Sequence, residues 1–401
     1  YNKAIKLKPD FAGIYYNRGN VLNALDRYEE AIKSFNKAIE LNPDYTEAHY
    51  NLGNALNKLE HYKEAIASFN KAIELKPGYT EAYNNLGNVF IELRKYEEAI
   101  ASYNKAIDLS PGYIEAHYNL GNTLNKLEQY DEAIISYNKA IELKPDYIEA
   151  HYNCGNMLRN ISKYEEAVSS YNKAIELKPD YTEAYNNLGN VLIELRKYEE
   201  AIASYNKAID LSPGYIEAHY NLANAFNKMG HYDEAIISYN KALDLNPDYT
   251  EAHNNLGAVY ASMGKHDKAI ARYNRAIELE ADYIEAHNNF GNVLVEMGRP
   301  KEAKDSYEKA IANVATATRD EKAGANNGPK TKKIDCMYWM RQGYCTKGED
   351  CDFMHQDSKK GIEKKGAASP PHGRSRSRER SRGSSERGRR GDRDGRRDER
   401  E

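Results

Sequence analysis

Proline recurs along this chain at a fixed interval of 34 residues. The series consists of Pro43, Pro77, Pro111, Pro145, Pro179, Pro213 and Pro247, and Pro9 extends it toward the start of the chain. A period of this length is typical of a solenoid of stacked helix-turn-helix units. Counting from Ala12, it predicts nine units through residue 317, after a partial repeat at residues 1–11. Because those opening residues match the second half of a unit, we expect the chain to begin within a repeat.

Small and aromatic residues recur inside each unit at helical spacing. In the second unit, Gly53 lies midway along a predicted first helix, and Ala65, Phe69 and Ala72 share one face of a second. The small residues allow the two helices to approach closely, and Pro77 ends the second helix because it lacks a backbone N–H. This pattern resembles the tetratricopeptide repeat (TPR) family. The resemblance implies an all-α superhelical solenoid.

A second periodicity lies on top of the first. Residues 80–147 reappear nearly unchanged at residues 182–249, three units later. Such a block duplication favours a repetitive ligand, or an array that only spans a distance, over different chemistry in successive units.

Asparagine occupies the sixth position of all nine units, and a second asparagine often follows three residues later on the same helical face. Asparagine is a poor helix former, and its amide can pair with the backbone of an extended peptide. The pattern resembles the asparagine ladder of the O-linked N-acetylglucosamine transferase repeats, which implies peptide contact. Alternatively, these amides form hydrogen bonds only with one another or with water. The candidate residues are Asn51, Asn54, Asn85, Asn88, Asn119, Asn122, Asn153, Asn156, Asn187, Asn190, Asn221, Asn224, Asn255 and Asn289.

Histidine and cysteine within the units are interpreted as packing residues. The histidines lie 34 or 68 residues apart, on different units, so they are not expected to converge on a metal. Cys154 stands where most units have leucine, which favours a buried apolar role over a nucleophilic one. With only four cysteines in the chain, the pattern fits a reducing compartment rather than a disulfide framework.

The net charge of −4 hides a division of the chain. Residues 318–401 carry 23 Lys and Arg against 15 Asp and Glu, whereas the preceding residues carry 34 against 46. Within this basic part we predict a linker at residues 318–331, a finger at 332–358 and a disordered Arg/Ser-rich tail at 359–401. Ser375, Ser377 and Ser381 lie between arginines and resemble an RS domain, which phosphorylation would switch. Nucleic acid is a candidate partner only for this second part.

The finger contains a C-x8-C-x5-C-x3-H cluster formed by Cys336, Cys345, Cys351 and His355. Three thiolates and one imidazole suit tetrahedral Zn²⁺, and four protein ligands with no vacancy predict one structural zinc rather than a catalytic one. A segment this short has little apolar surface of its own, so metal binding would supply its folding energy. The segment resembles the C3H1-type (CCCH) zinc fingers.

Members of that family usually bind single-stranded RNA by stacking aromatic side chains between bases, which implies RNA contact here. The candidates for stacking are Trp339, Tyr344 and Phe353, and Arg341 and Lys347 are candidates for phosphate contact. The alternative is a zinc-stabilised element that contacts proteins.

Together these features predict a non-enzymatic adaptor in RNA processing, with protein or extended peptide in the TPR groove and RNA at the finger. The alternative is a scaffold that contacts only proteins. A glycosyltransferase is not expected, because the 84 residues after the repeats are too few for its catalytic domain. No apolar stretch approaches the length of a membrane span, so we expect no membrane contact, and we favour the nucleus over the cytoplasm.

Overall fold

The computed structural model describes residues 1–323, and within this range every regular element is a helix. Helix α1 (Asn2–Leu7) precedes nine pairs of antiparallel helices, one pair for each predicted unit. The first helices of the pairs are α2 Ala12–Ala24, α4 Thr46–Lys58, α6 Thr80–Glu92, α8 Ile114–Lys126, α10 Ile148–Asn160, α12 Thr182–Glu194, α14 Ile216–Lys228, α16 Thr250–Ser262 and α18 Ile284–Glu296. The second helices are α3 Tyr28–Leu41, α5 Tyr62–Leu75, α7 Tyr96–Leu109, α9 Tyr130–Leu143, α11 Tyr164–Leu177, α13 Tyr198–Leu211, α15 Tyr232–Leu245, α17 His266–Leu279 and α19 Pro300–Ala323. The predicted all-α TPR solenoid is confirmed for this part of the chain.

The last helix is longer than the others. It continues to Ala323, beyond the predicted end of the array at residue 317, and so overlaps the first residues of the predicted linker. Its final stretch is rich in alanine and charged residues and contains no glycine or proline before Gly324, so nothing in the sequence stops the helix earlier.

The two helices of a unit approach closely because a glycine faces an aromatic ring. A Cβ added to Gly53 would lie 2.8 Å from Cε1 of Phe69, which is too close for any side chain without movement. Phe69, Ala65 and Ala72 are fully buried beside it. The same arrangement recurs in the other units except the seventh, where Ala223 takes the place of the glycine, and tyrosine replaces phenylalanine from Tyr103 onward. The small residues therefore act as the sequence predicts.

The turn between the two helices uses a left-handed residue. At the fifteenth position of the units the backbone φ is positive at Asp26, Glu60, Arg94, Glu128, Ser162 and Arg196, and at Gly230, Gly264 and Gly298. In the first unit the N–H of Arg27 donates to the carbonyl oxygen of Leu22 at 2.9 Å, which closes the end of the first helix in the Schellman pattern. No described helix is long and apolar enough to cross a membrane.

Candidate functional site along the inner face of the array

The first helices form the inner face of the stack. First helices of neighbouring units contact one another, whereas in residues 1–323 the second helices have comparable contacts only with first helices. Elements that lie closer together occupy the concave side of a curved stack, so the first helices line the groove. Their second, sixth, ninth and thirteenth positions share one helical face.

An asparagine ladder connects one unit to the next along this face. The Nδ2 of the asparagine at the sixth position donates to the Oδ1 of the asparagine at the ninth position of the preceding unit. The Nδ2 to Oδ1 distances are 2.8 Å for Asn51–Asn20 and Asn85–Asn54, 3.2 Å for Asn119–Asn88 and Asn153–Asn122, and 3.1 Å for Asn187–Asn156 and Asn255–Asn224. Because each bond crosses a unit boundary, the ladder holds the repeats in register.

The same Nδ2 group donates a second bond to the residue at the fifth position of the preceding unit. The acceptor is a tyrosine hydroxyl in five cases: Asn51–Tyr16 at 3.2 Å, Asn85–Tyr50 at 2.9 Å, Asn153–Tyr118 at 3.2 Å, Asn187–Tyr152 at 2.9 Å and Asn255–Tyr220 at 2.9 Å. In three others it is an asparagine Oδ1, at 3.0 Å in Asn119–Asn84, Asn221–Asn186 and Asn289–Asn254. An amide nitrogen has only two hydrogens, so where both bonds form its donors are used within the array.

A buried tyrosine on the second helix anchors the ladder from behind. Its hydroxyl donates to the Oδ1 of the ninth-position asparagine in the same unit. These pairs are Tyr103–Asn88 at 2.7 Å, Tyr137–Asn122 at 2.8 Å, Tyr171–Asn156 at 2.7 Å, Tyr205–Asn190 at 2.8 Å, Tyr307–Asn292 at 2.8 Å, and Tyr239–Asn224. A buried phenol needs such a partner, and the sequence pattern alone did not reveal this one.

These bonds show that the predicted asparagines lie together on the inner face and bond to one another, as the alternative interpretation held. They also define which hydrogen-bond donors and acceptors remain available for a ligand. In the pair Asn153 and Asn122, the ladder bonds use the two hydrogens of the first amide and two acceptor positions on the oxygen of the second. The Asn153 Oδ1 acceptor and the Asn122 Nδ2 donors remain, and both residues are half-buried at the groove surface. Peptide contact stays a prediction.

Tyrosines and glutamates complete the groove, and the sequence interpretation did not select them. Tyr79, at the end of its unit, packs on Tyr50 with ring centroids 4.8 Å apart. Exposed glutamate occupies the second position of eight units: Glu47, Glu81, Glu115, Glu149, Glu183, Glu217, Glu251 and Glu285. Burial, followed by the carboxylate of Glu115, raises the pKa of Tyr113 to about 12. The signal was present in the sequence as two further series with the 34-residue period.

The histidines and the lone cysteine of the array have structural surroundings. Nε2 of His117 lies 3.0 Å from the carbonyl oxygen of Pro111 in the preceding loop, and His49 makes the equivalent contact with Pro43 at 2.9 Å. Since a carbonyl only accepts, this nitrogen carries the proton. Cys154 is buried, and burial raises the pKa of its thiol to about 11, so the thiol stays protonated near neutral pH. Among the described residues no group of His, Cys, Asp or Glu is arranged to hold a metal.

The predicted zinc ligands Cys336, Cys345, Cys351 and His355 lie outside the described residues, and so do the RNA candidates Trp339, Arg341, Tyr344, Lys347 and Phe353. Their types and spacing are therefore the only observations on that part of the chain. Three sulfur donors and one imidazole form a set that fits Zn²⁺.

Stacked antiparallel helix pairs with a shared inner groove define a helical-repeat scaffold for protein interaction. The chain belongs to the tetratricopeptide repeat family. A family model described as TPR repeat matches residues 19–60, 87–127, 121–160, 155–195, 189–230 and 223–264, and further tetratricopeptide models match residues 1–33, 46–79, 68–101 and 248–315. Residues 331–357 match the model of the C-x8-C-x5-C-x3-H type zinc finger, which suggests zinc and nucleic-acid binding.

Two solved structures with similarity to this chain are described as TPR proteins. The C-terminal part of a TPR repeat-containing protein from Cytophaga hutchinsonii is 20% identical with a TM-score of 0.53, over 59% of this chain and 97% of that one, and shows the same fold. YrrB, described as a TPR protein with an unusual peptide-binding site, is 32% identical with a TM-score of 0.43, over 46% of this chain and 95% of that one. No curated protein sequence matches the chain.

Proposed function

We propose that this protein is a non-enzymatic adaptor whose array holds an extended peptide of a partner protein while its finger contacts single-stranded RNA during RNA processing. The observation that supports the peptide-binding part is the pattern of hydrogen-bond donors and acceptors that the asparagine ladder leaves available. Oxygen acceptors at the sixth position, such as that of Asn153, alternate with amide donors at the ninth, such as that of Asn122, although the oxygens of Asn85 and Asn255 already accept one bond each from Asn84 and Asn254. A peptide backbone offers the complementary N–H and C=O groups. Recognition of this kind does not depend on side chains, which suits a groove built from near-identical units.

The finger part rests on the donor set and on the family match at residues 331–357. Cys336, Cys345, Cys351 and His355 would hold one zinc ion, and four protein ligands leave no coordination position for water chemistry. The metal would then stabilise the fold of the finger. Trp339, Tyr344 and Phe353 would stack on bases, and Arg341 and Lys347 would contact phosphates.

The basic residues that follow the finger support the RNA assignment. Arginines between Ser375 and Arg400 supply positive charge that a phosphate backbone attracts irrespective of sequence. Together with the CCCH finger, an arginine and serine composition of this kind favours the nucleus.

The test of the RNA assignment is ultraviolet crosslinking of the full chain to RNA, with and without a zinc chelator. We expect a zinc-dependent crosslink that the Cys345→Ser variant loses, while the helical circular dichroism signal of the array stays unchanged. Cys154→Ser serves as the matched control, because that thiol is buried in the array and has no part in metal binding. A crosslink that is absent from the wild-type chain, or insensitive to chelation, would contradict the proposal.

One observation favours a protein-only scaffold as the second candidate. Residues 332–360 carry six basic residues against five acidic ones, so the finger is nearly neutral and weak as a phosphate binder. If the scaffold is the correct function, the proteins recovered with the full chain from cells stay the same after nuclease treatment. Loss of those partners with nuclease would support the RNA-associated adaptor.

A further inference from the structure

The last residue of each of the first eight units is a tyrosine whose ring borders the groove. It is present in every unit from Tyr45 to Tyr283 and is half-buried. In five units it packs on the tyrosine at the fifth position of the same unit. The centroid distances are 4.8 Å for Tyr16–Tyr45, Tyr50–Tyr79, Tyr118–Tyr147 and Tyr152–Tyr181, and 4.9 Å for Tyr220–Tyr249. The array thus presents an aromatic ring at the boundary of each unit with the next.

The protein itself places a cation on three of these rings. The Nζ of Lys76 lies 4.4 Å from the centroid of Tyr79, and Lys144 and Lys178 lie 4.9 and 4.8 Å from the centroids of Tyr147 and Tyr181. These are cation–π distances. Tyr147 and Tyr181 also pack on a second tyrosine, with ring centroids 4.8 Å apart.

Five units lack that lysine: Asn42 and Ser110 stand at this position in two units nearer the start of the array, and the other three units are consecutive and lie toward its end. The residue three positions before the tyrosine is Ser212, Asn246 and Glu280 in these units, before Tyr215, Tyr249 and Tyr283 respectively. We refer to these three rings as the open tyrosines. The backbone is the same as in the lysine units, since φ and ψ are −139° and 88° at Ser212 and −137° and 88° at Lys144. The aromatic position is therefore retained while its internal cation is missing.

An exposed glutamate follows each open tyrosine by two residues along the chain, namely Glu217, Glu251 and Glu285. Burial, then the carboxylates of Glu217 and Glu183, raise the pKa of Tyr215 to about 12. Burial, and to a smaller extent Glu251 and Glu217, also raises the pKa of Tyr249. Burial, and to a smaller extent Glu285, Glu251 and Glu280, raises the pKa of Tyr283. These glutamates are exposed, and the ion pairs within residues 1–323 join other residues. Lys228 lies on the same helical face, roughly 16 Å along the axis from Glu217, too far to neutralise it.

We propose that the open tyrosines and their flanking glutamates bind the lysine or arginine side chains of an extended basic peptide. Each cation would lie on a tyrosine ring, as Lys76 does on Tyr79, near the carboxylate that follows it. The inference rests on the proposed peptide-binding function and adds the chemistry of the partner. It also divides the groove, because the units of Tyr79, Tyr147 and Tyr181 carry their own cation and offer no equivalent subsite.

The spacing of the subsites determines how far apart the basic residues of the peptide should be. Neighbouring helices pack about 8–10 Å apart, and an extended peptide advances about 3.3 Å per residue, so a basic residue at every third position matches successive units. A suitable probe is a fluorescent peptide of Arg-Gly-Ser repeats. The matched neutral probe replaces each arginine with glutamine.

The experiment titrates both probes against the full chain and two variants that add the same charge. Ser212→Lys/Asn246→Lys installs the lysines that other units carry, and we expect it to weaken binding of the arginine probe about fivefold by occupying two rings. Ala203→Lys/Ile237→Lys adds two lysines at exposed positions of second helices, where the first unit has Lys33, and we expect a change below about twofold. Both variants place lysine where another unit tolerates it.

The reverse change provides a gain of binding that misfolding does not produce. Lys144→Asn/Lys178→Ser should open two further rings and tighten binding of the arginine probe by about threefold. Equal affinity for the arginine and glutamine probes, or equal effects of the two lysine variants, would overturn the inference of a basic peptide without contradicting the proposed peptide binding. If neither probe binds, both the inference and the proposed peptide-binding function are wrong.

Discussion

The two duplicated blocks, residues 80–147 and 182–249, differ at few positions, and the differences are not spread evenly. The hydrogen bonds of the ladder are only partly the same in both, because Asn119 donates to both Asn84 and Asn88 whereas Asn221 donates to Asn186 alone. Tyr137 donates to Asn122 in the first block, and Tyr239 donates to Asn224 in the second. The next unit adds the same pair of ladder bonds to each block.

Nine of the ten differences lie in the second unit of each block, at the turn, among the packed positions of its helices and beside the groove. Glu128 corresponds to Gly230 at the left-handed turn, and Lys144 corresponds to Asn246 beside the groove tyrosine. Within the core, Ala223 replaces Gly121, and Tyr239 remains fully buried against it. The anchor from the second helix and the bonds to the following unit are thus kept in both copies, whereas the turn, the core packing and the groove charge vary. Substitutions made in parallel in the two blocks test this distinction.

Removal of the buried ring should have the largest effect and should be equal in the two blocks. Tyr137→Ala and Tyr239→Ala each leave a large cavity against a glycine or alanine helix, and we expect a loss of about 3–5 kcal/mol in the free energy of unfolding. Urea unfolding followed by circular dichroism measures it. Values for the two variants that differ by more than about 1 kcal/mol would show that Ala223 has changed the packing of its block.

Removal of a ladder oxygen should have the next largest effect. Asn122→Ala leaves the buried hydroxyl of Tyr137 without its acceptor and removes the bond from Asn153, at an expected cost of about 1–3 kcal/mol. Asn224→Ala should match it in the second block. The double variant Asn122→Ala/Tyr137→Phe should recover part of the loss, since no buried hydroxyl remains. A double variant less stable than Asn122→Ala would show that the hydroxyl does not depend on this acceptor.

The sequence predicted contacts within a unit better than contacts between units. The approach of Gly53 to Phe69 follows from helical spacing, because both residues lie on one helix pair. The bond from Asn85 to Asn54 spans a unit boundary, and its existence depends on the rotation between units, which a period does not specify. The pairing of Tyr50 with Tyr79 lies within one unit and was also not predicted, because a period does not specify the path of the loop after Pro77. The array was predicted to end at residue 317, whereas α19 ends at Ala323, because the helix continues through residues of favourable helix propensity after the repeat pattern has ended.

Alkaline pH should destabilise both blocks to the same degree. Burial raises the pKa of Tyr113 and of its counterpart Tyr215 to about 12, whereas an unfolded tyrosine titrates near about 10. The folded state keeps the proton that the unfolded chain loses, so this stabilisation is complete below about pH 10 and lost as the pH rises toward 12. Allowing for solvent screening of half-buried groups, each contributes about 1 kcal/mol.

Urea midpoints measured between about pH 9 and about pH 12 test this loss. Tyr113→Phe and Tyr215→Phe should reduce it by equal amounts, since neither variant has a phenol to ionise at that position. A steeper loss in either variant than in the wild-type chain would contradict the assignment of these two groups.

The turn residues should give the smallest effects, of opposite sign in the two blocks. Glu128 has a φ of 58°, where a side chain crowds the backbone, while Gly230 reaches 77° without that cost. Glycine also loses more backbone entropy on folding, which offsets part of the relief, so Glu128→Gly should stabilise by about 0.5–1 kcal/mol and Gly230→Glu should destabilise by a similar amount. The control is Glu142→Asp, another difference between the blocks, which lies within α9 and leaves the turn unchanged. If Glu128→Gly lowered the urea midpoint, the turn of the first block would carry a favourable side-chain contact, and the variation between the blocks would no longer reflect backbone strain.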